Sequence, residues 1–412
     1  MKRIKNLYEE ISSLDNCIQA AIECVRGKRK RNQPGTAVFE IASNPVYYGH
    51  KVHEMLASKQ FVPSSPHHFK IKDGLSKKVR EIDAPELFPD QIVHWAIMRV
   101  LGPILMNRFY PYSCGSIPGK GTGGAKKYIE KKLEIDTKNH NHVRSNYKYC
   151  LKLDIRHYFP SINRQILINK LCNTIKDRDL INLFSMIIYS IPGDKGLPIG
   201  YYTSQWLSNF YLNDFDHWLK KRLSEIFDKS IYVRYVDDLV IIGPNKRKLR
   251  RLKEEINDYI NTNLDVEIKE QDYIFDIGKC YLDFVGFKFT YGKTIARQRI
   301  FKESIRKEKE LQYCEYIPNK LAGIISRNTW MNIHQVRKTT KKIYTHSVKF
   351  YIDRYKSLTK KSKYRIKWNR AVNRGIRRQA MINKELEYYQ KFGKIIRIDR
   401  FGKIADNIDL HV

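Results

Sequence analysis

Asp237 and Asp238 are neighbouring carboxylates inside Ile231-Tyr-Val-Arg-Tyr-Val-Asp-Asp-Leu-Val-Ile-Ile-Gly243, a stretch otherwise of β-branched and aromatic residues with Pro244 behind it. Such a pattern predicts a β-hairpin carrying the acids at its turn. Two adjacent aspartates repel each other and interrupt an apolar strand pair, and a divalent cation such as Mg2+ removes that cost. The plainer reading is a solvated Asp-Asp turn; a third acid weighs against it. Asp154 closes the apolar run Tyr149-Cys-Leu-Lys-Leu-Asp154, and a helix is expected soon after. A strand-end aspartate and a two-aspartate hairpin about 80 residues later form the smallest set able to hold two metal ions roughly 4 Å apart for in-line phosphoryl transfer.

Presenting those acids takes strands that end at a cleft, and the rest of the chain supplies candidate supports. Residues 69–82 alternate like a hairpin with Asp73-Gly74 at its turn, and a helix is expected over Asp90–Leu101. Ser113–Gly124 is the most Gly-rich segment and opens a helix at Ala125; it does not spell a Walker loop. Residues 195–216 read as a turn followed by an apolar-striped helix, and Lys246–Ile260 as an amphipathic basic helix. Apolar positions at helical spacing predict one amphipathic helix over residues 1–25, running into the basic string Arg26–Arg31.

The Tyr-Val-Asp-Asp box at 235–238, the Leu-Asp-Ile-x-x-x-Phe box at 153–159 and Gly200-x-x-x-Ser204 resemble the reverse transcriptases, in that family's order and spacing, over roughly residues 70–290. The resemblance implies an α/β fold with an α+β palm, a right-hand polymerase with fingers, palm and helical thumb. It implies Asp154, Asp237 and Asp238 as catalytic residues, and those three with Ile155 as the residues that hold two Mg2+ ions. Arg80, with Lys78 as a second candidate, would cover the triphosphate of an incoming dNTP. Phe159 would stand under its sugar and exclude a ribose 2′-OH, and Ile199, Gly200, Ser204 and Gln205 would lie near the nucleotide. Most members have Gln-Gly-x-x-x-Ser-Pro here; Ile199 and Gln205 instead resemble the enzymes of diversity-generating retroelements, which copy a template RNA with frequent errors at adenines. In the family a Lys-Thr pair follows the hairpin, where this chain has Gln271-Asp272-Tyr273. Lys269 and Lys279 are then the candidates for protonating pyrophosphate. Similar polymerases use a small-residue stretch like 113–124 against the template strand, and Leu282–Phe289 matches the box at the base of their thumb. The resemblance also implies a small basic accessory protein.

Composition agrees with a polyanionic partner. Among 412 residues, 77 Lys plus Arg face 43 Asp plus Glu, a net charge of +34, which makes nucleic acid the leading partner, although a membrane surface would also attract such charge; the resemblance implies template RNA and cDNA. In residues 321–380, 17 Lys plus Arg stand against the single acid Asp353, interleaved with aromatics. Lys341, Lys342, Lys349, Arg354, Lys356, Lys360, Lys361, Lys363 and Arg365 are the nucleic-acid-binding candidates there, as part of a thumb and RNA-binding extension. The expected division is 1–68 as an N-terminal helical and basic region, 69–290 as fingers and palm, and 291–412 as thumb and extension. The absence of a long apolar run or signal sequence points away from a membrane and towards the cytoplasm, and the seven cysteines, with no Cys-x-x-Cys pair, towards reduced, mostly buried thiols. The enzymatic alternatives are retron, group II intron-derived or phage-defence reverse transcriptases. The alternative of another class is an RNA-binding protein on a polymerase scaffold that no longer catalyses.

Overall fold

The computed structural model describes residues 6–26, 28, 33–72, 79–134, 146–270, 273–297, 395–398 and 404–408. At its centre is a four-stranded antiparallel sheet in the order β4-β5-β3-β6, formed by β3 (Tyr149–Asp154), β4 (Ile231–Tyr235), β5 (Asp238–Gly243) and β6 (Tyr273–Asp276). Alternate residues on each strand face opposite sides. Leu151, Leu153, Tyr232, Leu239 and Ile241 enter the larger core. Cys150, Ile231, Val233, Val240 and Ile242 enter a second core on the other face. An antiparallel sheet covered on both sides explains why these strands read as nearly continuous apolar runs.

Helices cover the first face. α5 (Ile92–Arg108), α10 (Tyr202–Tyr211), α11 (Asn213–Ile226) and α12 (Lys246–Leu264) supply Ile97, Leu101, Leu207, Leu219, Leu252 and Ile256 to the larger core. α7 (Tyr158–Ser161), α8 (Arg164–Thr174) and α9 (Arg178–Ile188) extend it. On the second face lie α6 (Gly121–Glu134) and a three-stranded sheet, β7 (Leu282–Phe284), β8 (Phe287–Thr290) and β9 (Lys293–Ala296).

The N-terminal region joins the same core. α1 (Leu7–Ser12), α2 (Leu14–Cys24), α3 (Ala37–Ser43) and α4 (Pro45–Ala57) bury Ile11, Ala21, Ile41 and Val52 together with Ile97 of α5. The single helix expected over 1–25 is two helices. Ser13 adopts an extended conformation and its hydroxyl accepts from the Asn16 N–H, capping α2. The helix expected over 90–101 runs on to Arg108 through Gly102 and Pro103, and any side chain at 102 would press on the Trp206 ring.

The hairpin expected at 69–82 is present as β1 (His67–Lys72) and β2 (Val79–Ala84), paired from His67 with Ala84 to Lys72 with Val79. A separate antiparallel pair, β10 (Ile395–Ile398) and β11 (Ile404–Ile408), lies near the C-terminus. Cys17, Cys24, Cys114 and Cys150 are buried free thiols, as expected; burial pushes Cys17 and Cys24 up to about 12. Among the described residues no helix is long and apolar enough to cross a membrane.

Candidate active site

Three carboxylates stand on adjoining strand ends: Asp154 at the end of β3, Asp238 at the start of β5 and Asp237 in the turn after β4. Asp154, the last residue of β3, stands directly opposite Asp238, the first of β5. Such cross-strand neighbours have Cβ atoms about 5 Å apart. Tyr235 pairs with Asp238, so Val236 and Asp237 alone form the turn. The Ile155 N–H donates to the Asp237 carbonyl at 3.2 Å, which ties the turn to the continuation of β3. Burial, the largest cause, and the nearby Asp154 and Asp238 charges raise the pKa of Asp237 above the ordinary aspartate value. Asp238 is raised by burial too; Lys152 pulls the other way and Asp154 adds to the rise. Both acids are thus ionised at a cost that a cation would lift.

Lysines stand in for part of that cation. Lys269 is ion-paired with Asp154, and Lys152 lies 3.5 Å from Asp238 while also donating to the Asp283 carbonyl at 3.1 Å. Among the described residues no three His, Cys, Asp or Glu side chains are gathered for metal binding. The donors still suit a hard divalent ion: three carboxylates on adjoining strand ends, two of them with raised pKa. Ile155 is buried and offers only its carbonyl. Of the two lysines considered for proton donation, Lys269 is at the acids. Lys279 follows Asp276, which pairs with Tyr149 at the opposite end of β3.

A buried network that the sequence reading missed supports the hairpin from the other face of the sheet. Arg234 of β4 is fully buried. It grips Asp216 of α11 bidentately, Nε to Oδ1 at 2.8 Å and Nη2 to Oδ2 at 2.6 Å. Nη1 donates to the Val236 carbonyl at 2.8 Å and to Asn209 Oδ1 at 3.2 Å, and Nη2 to the Ser113 hydroxyl at 2.8 Å. The Tyr232 hydroxyl donates to Asp216 at 2.5 Å. Burial alone would depress the arginine's pKa, and Asp216 more than restores it, so it stays charged. The turn needs this help, because Val236 has φ 57°, a left-handed conformation that a β-branched residue rarely adopts. Gly115 packs behind it, and a Cβ there would come within 2.5 Å of the Val236 nitrogen. The start of the Gly-rich segment, expected beside a template, therefore braces the turn that carries Asp237. Its only sequence signal was one arginine inside an apolar strand.

The remaining candidates fall at separate places. Phe159 is half-buried on α7, packed against the larger core, and its carbonyl accepts from the Leu197 N–H at 2.9 Å. Ile199 is half-buried, Gly200 exposed, Ser204 buried and Gln205 exposed on α10. Gly200, at φ 137°, lies against the Asp83 carbonyl, and the Asp83 N–H donates to the Ile199 carbonyl at 2.9 Å. This box thus meets the root of the β1–β2 hairpin. Arg80 is exposed on β2, three residues or about 10 Å up the strand from Asp83. Lys78 lies outside the described residues, as do Lys341, Lys342, Lys349, Arg354, Lys356, Lys360, Lys361, Lys363 and Arg365.

With this geometry in place, the family model for reverse transcriptase (RNA-dependent DNA polymerase) matches residues 77–271, which takes in all three acids. Residues 77–271 are a reverse transcriptase domain. Its fold is the α/β fold of a right-hand polymerase. The chain is similar to the retron Ec73 reverse transcriptase of Escherichia coli, at 27% identity over 221 residues, covering 49% of this chain and 68% of that one. It is also similar to protein YkfC of Escherichia coli strain K12, at 24% over 227 residues, covering 46% and 58%. Among solved structures, telomerase from Candida albicans in complex with a fragment of telomeric RNA superposes with a TM-score of 0.44 at 12% identity, covering 68% of this chain and 58% of that one. The reverse transcriptase domain is that of an RNA-directed DNA polymerase.

Proposed function

We propose that the whole chain copies a template RNA into cDNA from dNTPs, in the manner of the diversity-generating retroelement enzymes. The observation that carries polymerisation is the pairing of Asp154 with Asp238 across two strand ends with Asp237 in the turn between β4 and β5. Asp154, Asp237 and Asp238, with the Ile155 carbonyl, would hold two divalent ions, Mg2+ in this reading. When bound, the ions lower the barrier to attack of a primer 3′-OH on the α-phosphate of a dNTP. The chain's own residues do the rest. The Arg234 network and Gly115 fix the turn that aims Asp237. Arg80 places a guanidinium over the triphosphate, and Phe159 presents a ring where a ribose 2′-OH would stand. Lys269 balances the Asp154 charge until the ions are in place.

Ile199 supports the retroelement assignment, because an aliphatic side chain cannot offer the amide donors and acceptors that glutamine gives beside a templating pair. Loss of about 1–3 kcal/mol of discrimination corresponds to roughly 10- to 100-fold in error rate. The retron relative favours a second reading, a reverse transcriptase without mutagenic copying. Primer extension with Mg2+ on RNA, followed by sequencing of the cDNA from the parent and Ile199→Gln, tests both. Errors concentrated opposite template adenine and reduced by the substitution support the first reading; a flat error spectrum in both leaves the second. No incorporation on any template would sink polymerisation. A partnership with a small basic accessory protein, and the assignment of 291–412 to thumb and RNA-binding extension, belong to the same proposal.

A further inference from the structure

Cations gather at the end of the central sheet farthest from the acids. Gly243 closes β5 opposite Tyr149, five residues beyond Asp238, so about 17 Å of strand separates the two ends. α12 begins there. Lys or Arg occupies positions 246, 247, 248, 250, 251 and 253, and its first turn holds no acid. Leu249, Leu252 and Ile256 turn its inner face into the core that buries Leu151, Leu153, Leu239 and Ile241. Asp154, Lys152 and Asp238 alternate to the opposite face of the sheet, where Lys152 meets Asp238. The basic face of α12 therefore lies behind the sheet as well as at its far end. Exposed Lys229 just before β4 and exposed Lys148 just before β3 reach the same end.

Helix stability disfavours this arrangement. The first turn is the positive end of the helix dipole, and each cation there works against about 0.3–1 kcal/mol. Nor are the charges consumed in pairs. Lys248 donates to the Ile226 carbonyl at 3.1 Å, and Arg222 is held by Glu225 and Glu255. Lys246, Arg247, Arg250 and Arg251 are exposed, and among the described residues none has a carboxylate partner. Among the described residues, none of the exposed large apolar side chains belongs to α12. A protein partner needs an apolar anchor amid its polar rim, whereas a polyanion needs none.

We infer that Lys246, Arg247, Arg250 and Arg251, with Lys148 and Lys229 beside them, bind the phosphate backbone of folded RNA outside the catalytic cleft. The surface holds the copied RNA at a second place, behind the palm, and this rests on the reading that the chain copies RNA. The test replaces all four α12 residues in the full chain: Lys246→Gln, Arg247→Gln, Arg250→Gln and Arg251→Gln. Two probes are used, an RNA hairpin of about two helical turns and a short oligo(rA)·oligo(dT) primer–template. Affinity for the hairpin should fall about tenfold or more, and the slope of log affinity against log salt should become shallower by about 3. Extension of the short primer should stay within about twofold of the parent, since that duplex reaches only the cleft. Unchanged hairpin affinity and slope overturn the inference and leave the face to an acidic protein. Equal loss of short-primer extension overturns it differently, by making the face part of the cleft. If the parent extends no primer, the polymerase reading fails, while the hairpin comparison, which needs no catalysis, still decides the surface.

Discussion

Two hairpin turns in this molecule place a valine in the left-handed region, Val236 at φ 57° and Val285 at φ 44°. Both loops have two residues, closed by Tyr235 with Asp238 and by Phe284 with Phe287. At 285 the next residue is Gly286, at φ 90°, so both central positions are left-handed, as tight hairpins prefer. At 236 the next residue is Asp237, and only the valine is left-handed. A left-handed L-residue costs about 1–2 kcal/mol. The β7–β8 turn puts glycine at its second left-handed position and so avoids a second such cost, a local solution. The β4–β5 turn keeps a carboxylate where glycine would suit the backbone, and distant groups hold it: Arg234 on the Val236 carbonyl and Gly115 against its nitrogen. A carboxylate thus occupies the position that local turn rules would have given to glycine, and tertiary contacts carry the strain.

The sharpest way to break the comparison is Asp237→Asn. DNA synthesis should fall by about three orders of magnitude or more, because a charged oxygen donor to the ions is lost. RNA binding should hold, and the unfolding midpoint should match or exceed the parent's, since a repelled carboxylate is gone. Near-parental extension by this variant would remove Asp237 from the chemistry. Arg234→Met should come next, at a cost of about 3–5 kcal/mol in urea unfolding, because Asp216 is left charged and buried. Adding Asp216→Asn should return part of that stability but not synthesis, as the Val236 carbonyl still lacks its donor. Recovery of both together would make the arginine a plain structural ion pair.

A smaller effect follows from pH. Asp237 and Asp238 have folded pKa values raised above 3.8, so the folded state holds their protons more tightly than the unfolded chain. That contribution is complete below the ordinary aspartate value and is lost as pH rises through the raised values. With chelator present, the parent's midpoint should therefore lose more than that of Asp237→Asn over this window. Mg2+ should restore the difference, more so at higher pH. Parallel pH profiles would deny the repulsion. The least effect is expected at the other turn, where Val285→Asn makes the favoured Asn-Gly pair and should add about 0.5–1 kcal/mol with synthesis unchanged.

The positions of the three acids and the hairpins β1–β2 and β4–β5 were legible because their signals are local: alternation, a turn pair and a charge at a strand end. The support was not. Arg234 meets Asp216 across 18 residues and Ser113 across 121, and no spacing rule links an arginine in a strand to a serine in a loop. The break at Ser13 was missed because apolar periodicity runs through it, whereas the Ser13 hydroxyl caps the start of α2. Asp238 was placed in the turn by its sequence neighbour, yet the register makes it the first strand residue, directly opposite Asp154.

The contact between Gly200 and Asp83 makes the β1–β2 hairpin a lever. Its fulcrum is the Ile199 carbonyl held by the Asp83 N–H, and its arm to Arg80 is about 10 Å. A tilt of about 10° at the root moves the strand at Arg80 by nearly 2 Å, enough to make or lose a hydrogen bond. Any side chain added at 200 would jam the fulcrum against the Asp83 carbonyl. A change at 199 is therefore geared through the backbone to Arg80, whether or not its side chain ever touches a base.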